Sequence, residues 1–362
     1  MAERLFNFNA GPAALPLEVL MQAQEEFVDY QNGGISLLEM SHRHKRVEEM
    51  NQETQALLLE LMNLKKGYHV LFMGGGASSQ FALIPLNLLQ QQQFAAYALS
   101  GSFSEKAYQE AKYVGEARII ASSKDQNWSQ IPQLNTQMIE PDCSYVHITS
   151  NNTIEGSRYN SIPQTNKIPL IADMTSDILS RKLDFDKFAM IYAGAQKNLG
   201  PAGVTTVIIH EDLLQNASKQ IPLILRYETF VKNQSLYNTP PVHAIYMMNL
   251  MLKWAVKQGG IGALEQQNKQ KAKRVYEVID NSNGFYQGFI DLKDRSDMNI
   301  TWRMSSEELE QQFVNESLLH GFEGLAGHRS IGGLRASAYN AVPLKACQAL
   351  AEFMIEFQRQ HE

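Results

Sequence analysis

One lysine is set apart by its neighbours. In Tyr192-Ala193-Gly194-Ala195-Gln196-Lys197-Asn198-Leu199-Gly200-Pro201-Ala202-Gly203 it occupies a loop of small residues between two apolar runs. A lysine meant for solvent needs no glycine and alanine around it. One that forms a Schiff base with a planar ring needs room for that ring, and a desolvated amine of lowered pKa. Upstream, Ile168-Pro169-Leu170-Ile171-Ala172-Asp173 closes an apolar run with a carboxylate. Asp173 has two readings: the cap of a helix starting near Thr175, or the anion opposite a pyridinium nitrogen, where it makes the ring an electron sink for a substrate carbanion. Beside Lys197 the second is favoured.

Other strand ends suit the same pocket. Leu71-Phe72-Met73-Gly74-Gly75-Gly76-Ala77-Ser78-Ser79-Gln80 reads as a strand, a glycine-rich turn and a helix start. Such a turn exposes N–H groups that can cradle one phosphate. It lacks the Gly-Lys-Ser/Thr of a nucleotide loop and the spaced glycines of a dinucleotide fold, so ATP and NAD lose support. Phe103, in Ser100-Gly101-Ser102-Phe103, can lie on a ring face, and Thr153, in Thr149-Ser150-Asn151-Asn152-Thr153, can reach a ring oxygen; taken alone, the first reads more readily as a core aromatic and the second as a plain turn. His42 and Arg43 in one loop, and His328, Arg329 and Arg335 in another, offer guanidinium and imidazole groups to carboxylates or phosphates. Exposed surface charge is the competing explanation. No metal site is expected.

These side chains need a scaffold. Between about residues 68 and 210, short β-rich runs (70–73, 94–98, 117–121, 145–149, 170–172, 190–193 and 204–209) alternate with helix-like segments, which predicts a mostly parallel sheet in an α/β fold. Ligands of such sheets sit at the carboxyl ends of the strands, where the residues named above fall. Amphipathic helices are expected over 17–29 and 47–64, and again over 263–281 and 344–358 beyond the Gly259-Gly260 pair. The Gln90–93 run reads as an exposed turn. We expect a large domain over 16–258 and a smaller α+β domain from 1–15 and 259–362. The 362-residue length leaves room for both.

Composition narrows the function. A charged share of 19% and an apolar share of 44% fit an ordinary globular protein, and a net charge of -6 gives no field for nucleic acid. Two cysteines are too few for a disulfide scaffold. The opening Met1-Ala2-Glu3-Arg4-Leu5-Phe6-Asn7 has no leader-like apolar run, and no stretch is apolar enough to span a bilayer, so a cytoplasmic location is expected.

Together the motifs make the chain resemble, over essentially its full length, the phosphoserine aminotransferase family, class V aminotransferases of the fold type I pyridoxal-phosphate enzymes. The resemblance rests on Phe6-Asn7-Phe8-Asn9-Ala10-Gly11-Pro12-Ala13, Ser41-His42-Arg43, the 74–80 loop, Ser150-Asn151-Asn152-Thr153-Ile154-Glu155-Gly156, residues 173–180 and 193–203, Tyr237-Asn238-Thr239-Pro240-Pro241, and 327–340. It implies amino transfer between L-glutamate and 3-phosphohydroxypyruvate, giving O-phospho-L-serine and 2-oxoglutarate in serine biosynthesis. A parallel step toward 4-phosphohydroxy-L-threonine and pyridoxine is also implied. By the same resemblance, pyridoxal 5'-phosphate would be held by Lys197, with Asp173 on the ring nitrogen, Phe103 on its face and Thr153 at its hydroxyl. Its phosphate would meet Ala77, Ser78 and Gln196, and Asn238 and Thr239 from the other subunit of a homodimer. His42, Arg43, His328 and Arg329 would take the substrate phosphate or distal carboxylate, and Arg335 the α-carboxylate. The family usually carries tryptophan at Phe103, which implies a looser cofactor here. The rival readings are a cysteine desulfurase on the same fold, which needs a mobile catalytic cysteine that neither Cys143 nor Cys347 suits, and a binding protein that has the fold without the reaction.

Overall fold

The computed structural model describes residues 4–64 and 66–362; Met1 to Glu3, which open the stretch read above for a leader and the 1–15 segment, lie outside the described residues. After a short strand β1 (Phe6–Asn7), two helices, α1 (Leu17–Glu25) and α2 (Lys45–Leu61), precede the main sheet. Both are shorter than their apolar pattern suggested: α1 stops four residues early, and α2 ends at a turn where Asn63 takes a left-handed φ of 50°.

Seven strands then build one sheet: β2 (Tyr68–Met73), β3 (Phe94–Leu99), β4 (Ala117–Ser122), β5 (Cys143–Thr149), β6 (Leu170–Asp173), β7 (Met190–Gly194) and β8 (Thr205–His210). Their order is β2-β8-β7-β6-β5-β3-β4. All pairings are parallel except those of β8, which runs antiparallel to both neighbours. Strand residues alternate between two buried faces. Val70, Phe72, Ala96, Val146, Ala172, Ile191 and Ile208 pack toward α1, α2 and α7 (Val242–Lys257), while Leu71, Tyr97, Tyr145, Ile171, Tyr192 and Val207 pack toward α3 (Gly76–Leu88), α4 (Ser102–Val114) and α6 (Tyr227–Lys232). The Gln91-Gln92 turn between α3 and β3 is exposed.

Beyond α5 (Glu211–Gln215) and α7, the long α8 (Gly260–Asp280) leads to a three-stranded antiparallel sheet of β9 (Gln287–Gly288), β10 (Asn299–Arg303) and β12 (Leu334–Ser337). α9 (Glu307–Leu319) and β11 (Phe322–Glu323) intervene, and α10 (Leu344–His361) closes the chain. β11 pairs in parallel with β1 as a separate two-stranded sheet, which ties the N-terminal strand to the C-terminal part of the chain. A separate apolar cluster built on Phe8, Trp302, Phe313, Leu350 and Phe357 fills the space behind the three-stranded sheet. Among the described residues no helix is long and apolar enough to cross a membrane.

Candidate active site

Register brings the candidate residues of neighbouring strands side by side. Thr149 at the end of β5 pairs with Asp173 at the end of β6, and Asp173 pairs with Tyr192 on β7, five residues before Lys197. Lys197 sits in the turn after β7 and is 7% exposed. Its Nζ donates to Thr153 Oγ1 at 2.5 Å and lies 5.7 Å from the Phe103 ring centroid. Burial pushes its amine from 10.5 down to about 8; Asp173 opposes this shift and Arg335 adds to it.

Asp173 is buried, and burial raises its carboxyl above the ordinary range against the pull of Thr175 and Lys197. Its Oδ1 accepts the Thr175 N–H at 2.9 Å. The capping alternative fails in one respect: residues 175–179 form turns, not a helix, so the bond closes a local Asx-type turn. Arg335 projects from β12, buried, and its Nη1 donates to the Thr153 carbonyl at 3.1 Å while Nε is buried with no partner. Lys197, Asp173, Thr153, Phe103 and Arg335 thus form one cluster, drawn from both sheets.

His328 and Arg329 lie at its rim. His328 Nδ1 and Ser330 Oγ are 2.6 Å apart, and burial, together with the Arg335, Arg329 and Lys106 cations, lowers the imidazole pKa. Ala77 and Ser78 occupy the first turn of α3. That turn requires glycine at its entry: Gly75 has φ 89°, and a Cβ there would come within 2.7 Å of the Ser79 Cβ. Gln196 follows the β7 end and its carbonyl accepts the Ala13 N–H at 2.9 Å.

His42, Arg43, Asn238 and Thr239 form a second group. Thr239 Oγ1 lies 3.2 Å from His42 Nδ1, while His42 Nε2 is buried without a partner. Arg43, Asn238 and Thr239 are exposed. Asn238 and Thr239 line a cavity of about 830 Å³ together with Gly74 and Ser79 of the glycine-rich turn. No described contact links this group to Lys197 within one chain.

Three neighbours of the cluster have no role in the sequence reading. Gly11 packs on the catalytic-lysine candidate, since a Cβ there would lie 3.6 Å from Lys197 Cγ. The Tyr339 hydroxyl donates to the Ala10 carbonyl at 2.8 Å. Glu155 is buried, its Oε1 accepts both the N–H and hydroxyl of Ser102 at 2.8 and 2.6 Å, and its Oε2 has no partner. Gly11 and Glu155 stand in the motifs quoted above, but only the fold shows what they touch. Both cysteines are buried, and burial pushes their thiols up to about 11, which does not suit a mobile nucleophile.

A neutralisable buried amine, a buried carboxylate on the adjoining strand, a half-buried phenyl ring and an unpaired guanidinium nitrogen together fit a group that carries an aldehyde, a ring nitrogen and an anion. Comparison with known proteins agrees with that chemistry. The aminotransferase class-V family model matches residues 5–350. A phosphoserine aminotransferase of Niallia circulans is 54% identical over 99% of both chains. The solved phosphoserine aminotransferase from Bacillus circulans subsp. alkalophilus superposes with a TM-score of 0.97 at 53% identity over 100% of both chains. A pyridoxal-phosphate-bound one from Trichomonas vaginalis does so at 0.90 and 35%, over 97% of this chain and 100% of that one. The chain belongs to the class-V aminotransferase family and, within it, to the phosphoserine aminotransferases.

Proposed function

We propose that the chain transfers an amino group between L-glutamate and 3-phosphohydroxypyruvate, giving O-phospho-L-serine and 2-oxoglutarate, with pyridoxal 5'-phosphate held through Lys197. The observation that carries this reading is the buried Lys197 amine, brought down to about 8, beside the buried Asp173 carboxylate in a chain of this family. When bound, the cofactor supplies an aldehyde for the amine and an electron-withdrawing ring. The protein does the rest. Lys197 Nζ would act as the base that moves the proton from the substrate α-carbon to the cofactor's exocyclic carbon, and in the reverse half would carry a proton from that carbon to the α-carbon of the new amino acid. Asp173 would keep a proton on the ring nitrogen, and Phe103 and Thr153 would fix the ring's face and hydroxyl.

Arg335, with its unpaired Nε, would take the substrate α-carboxylate. Ala77, Ser78 and Gln196 would hold the cofactor phosphate, helped by the free N–H groups at the start of α3. His42, Arg43, His328 and Arg329 would take the substrate phosphate or the distal carboxylate of glutamate. His42 and Thr239 contact each other, and among the described residues no described contact joins them to the Lys197 cluster of their own chain, which fits the homodimer of the family resemblance, in which Asn238 and Thr239 would serve the partner's cofactor. Two units, 16–258 around the large sheet and 1–15 with 259–362 around the small one, would then enclose each site, and the cytoplasm is the expected compartment.

The test is a glutamate-dependent assay on purified protein across phosphorylated and unphosphorylated keto acids. We expect turnover with 3-phosphohydroxypyruvate, and a parallel reaction with the four-carbon phosphorylated hydroxy keto acid. A preference for keto acids lacking phosphate would overturn the substrate while sparing the cofactor.

A further inference from the structure

α8 carries a lysine where its spacing calls for a hydrocarbon. Ile261, Leu264, Asn268, Lys271, Val275 and Ile279 recur at three- and four-residue steps and are all buried, forming one stripe. Lys271 lies in the middle of it, 1% exposed. Its Nζ donates to two uncharged partners, the carbonyls of Tyr339 at 2.7 Å and Val342 at 3.0 Å, and burial pushes the amine down to about 8. A methionine would fill much the same space without desolvating a cation. Packing alone therefore does not account for the ammonium group.

What it holds is the turn after β12, the strand that carries Arg335. Tyr339 O also accepts the Val342 N–H at 2.9 Å, so the lysine and the turn share one acceptor. From this turn, contacts run to the chain on both sides of Lys197. The Tyr339 hydroxyl reaches Ala10 O at 2.8 Å, beside the Gly11 that packs on the lysine side chain. The Asn340 N–H reaches Asn198 Oδ1 at 3.0 Å, one residue past the lysine. Asn268, on the same stripe one turn before Lys271, donates to Asn340 Oδ1 at 2.8 Å and to Ser180 O at 2.9 Å.

We infer that Lys271 is a positioning residue for the amino-transfer reaction: its buried ammonium group pins the 339–342 turn, and through Tyr339 and Asn340 that turn keeps Lys197 in place relative to the strand bearing Arg335. The inference rests on the reading of Lys197 given above, but its first test does not.

In unloaded K271M, hydrogen exchange at 338–342, 10–13 and 196–200 accelerates by about tenfold or more while α9 is unchanged. In the loaded enzyme kcat falls by about tenfold or more with KM for glutamate little changed, and the visible circular dichroism of the bound cofactor weakens. Faster exchange spread evenly over the small sheet, unchanged exchange at 196–200, or a wild-type kcat overturns the inference. Y339F covers the case in which K271M does not fold, because it keeps Lys271 and both carbonyl bonds and removes the hydroxyl that reaches Ala10 and accepts from Asn299, whose amide keeps its bond to Ser337. It should open residues 10–13 at nearly unchanged thermal stability; protection there equal to wild type overturns the relay. Absence of transamination in the wild type would sink the proposed function and leave the exchange pattern to decide on Lys271.

Discussion

Before its nitrogen can attack an aldehyde, Lys197 must lose its proton, so the rate at which unloaded protein takes up pyridoxal 5'-phosphate should track the neutral fraction of that amine. Burial brings the amine from 10.5 to about 8. At pH 7 an amine of pKa about 8 is neutral in roughly one molecule in ten, and an unperturbed one in roughly one in three thousand, a ratio of about 300. Stopped-flow absorbance would follow uptake between about pH 6 and pH 10, with rates divided by those of a blocked free lysine at the same pH to remove the titration of the aldehyde itself. The protein's own rate should rise about tenfold per pH unit at first and level off near 8. Two variants fix the cause. D173N removes the anion that opposes the shift, so the break moves lower; R335M removes a repelling cation, so it moves higher. A rate that climbs without a break to pH 10, or a break indifferent to both substitutions, would refute the argument that burial activates this amine.

The other expectations concern substrate, ring and thiols. R335A should lower kcat/KM for glutamate by about 2–5 kcal/mol, roughly 30- to several thousand-fold, because the substrate carboxylate loses a buried charge partner; steady-state kinetics equal to wild type would remove the clamp. F103W should slow cofactor dissociation by up to about tenfold, matching the ~0.5–1.5 kcal/mol by which aromatic pairs exceed their area burial, and dialysis with absorbance readings would show it. The C143A/C347A double variant should keep kcat within about twofold, since neither thiol is placed for chemistry; loss of activity in the folded variant would revive a cysteine mechanism.

How much of this was legible in the residues follows from the range of the signals. Short apolar runs marked all seven strands of the large sheet, because the inner strands bury both faces and even the edge strand β4 buries Ile120. The same runs could not show that β8 is antiparallel, because period-two burial is blind to direction. The two-residue β9 and four-residue β12 are too short to leave a pattern, so the second sheet was foreseen only as a region of short elements. At the site, Lys197 and Asp173 stood out because a lysine in a loop of small residues and a carboxylate closing an apolar strand are both locally anomalous. The Thr239–His42 contact joins residues 197 positions apart and has no local signature. Lys271 did leave one: a lysine inside an apolar helical stripe, which reads as an ordinary solvated charge until its neighbours at 268 and 275 are placed on the same face.

Borohydride reduction of the cofactor-loaded protein, followed by proteolysis and mass mapping, tests the central claim most directly. The account predicts one pyridoxyl label per chain, on the peptide containing Lys197, and its disappearance in K197A. A label on any other lysine, or a loaded protein that borohydride leaves unlabelled, would contradict it.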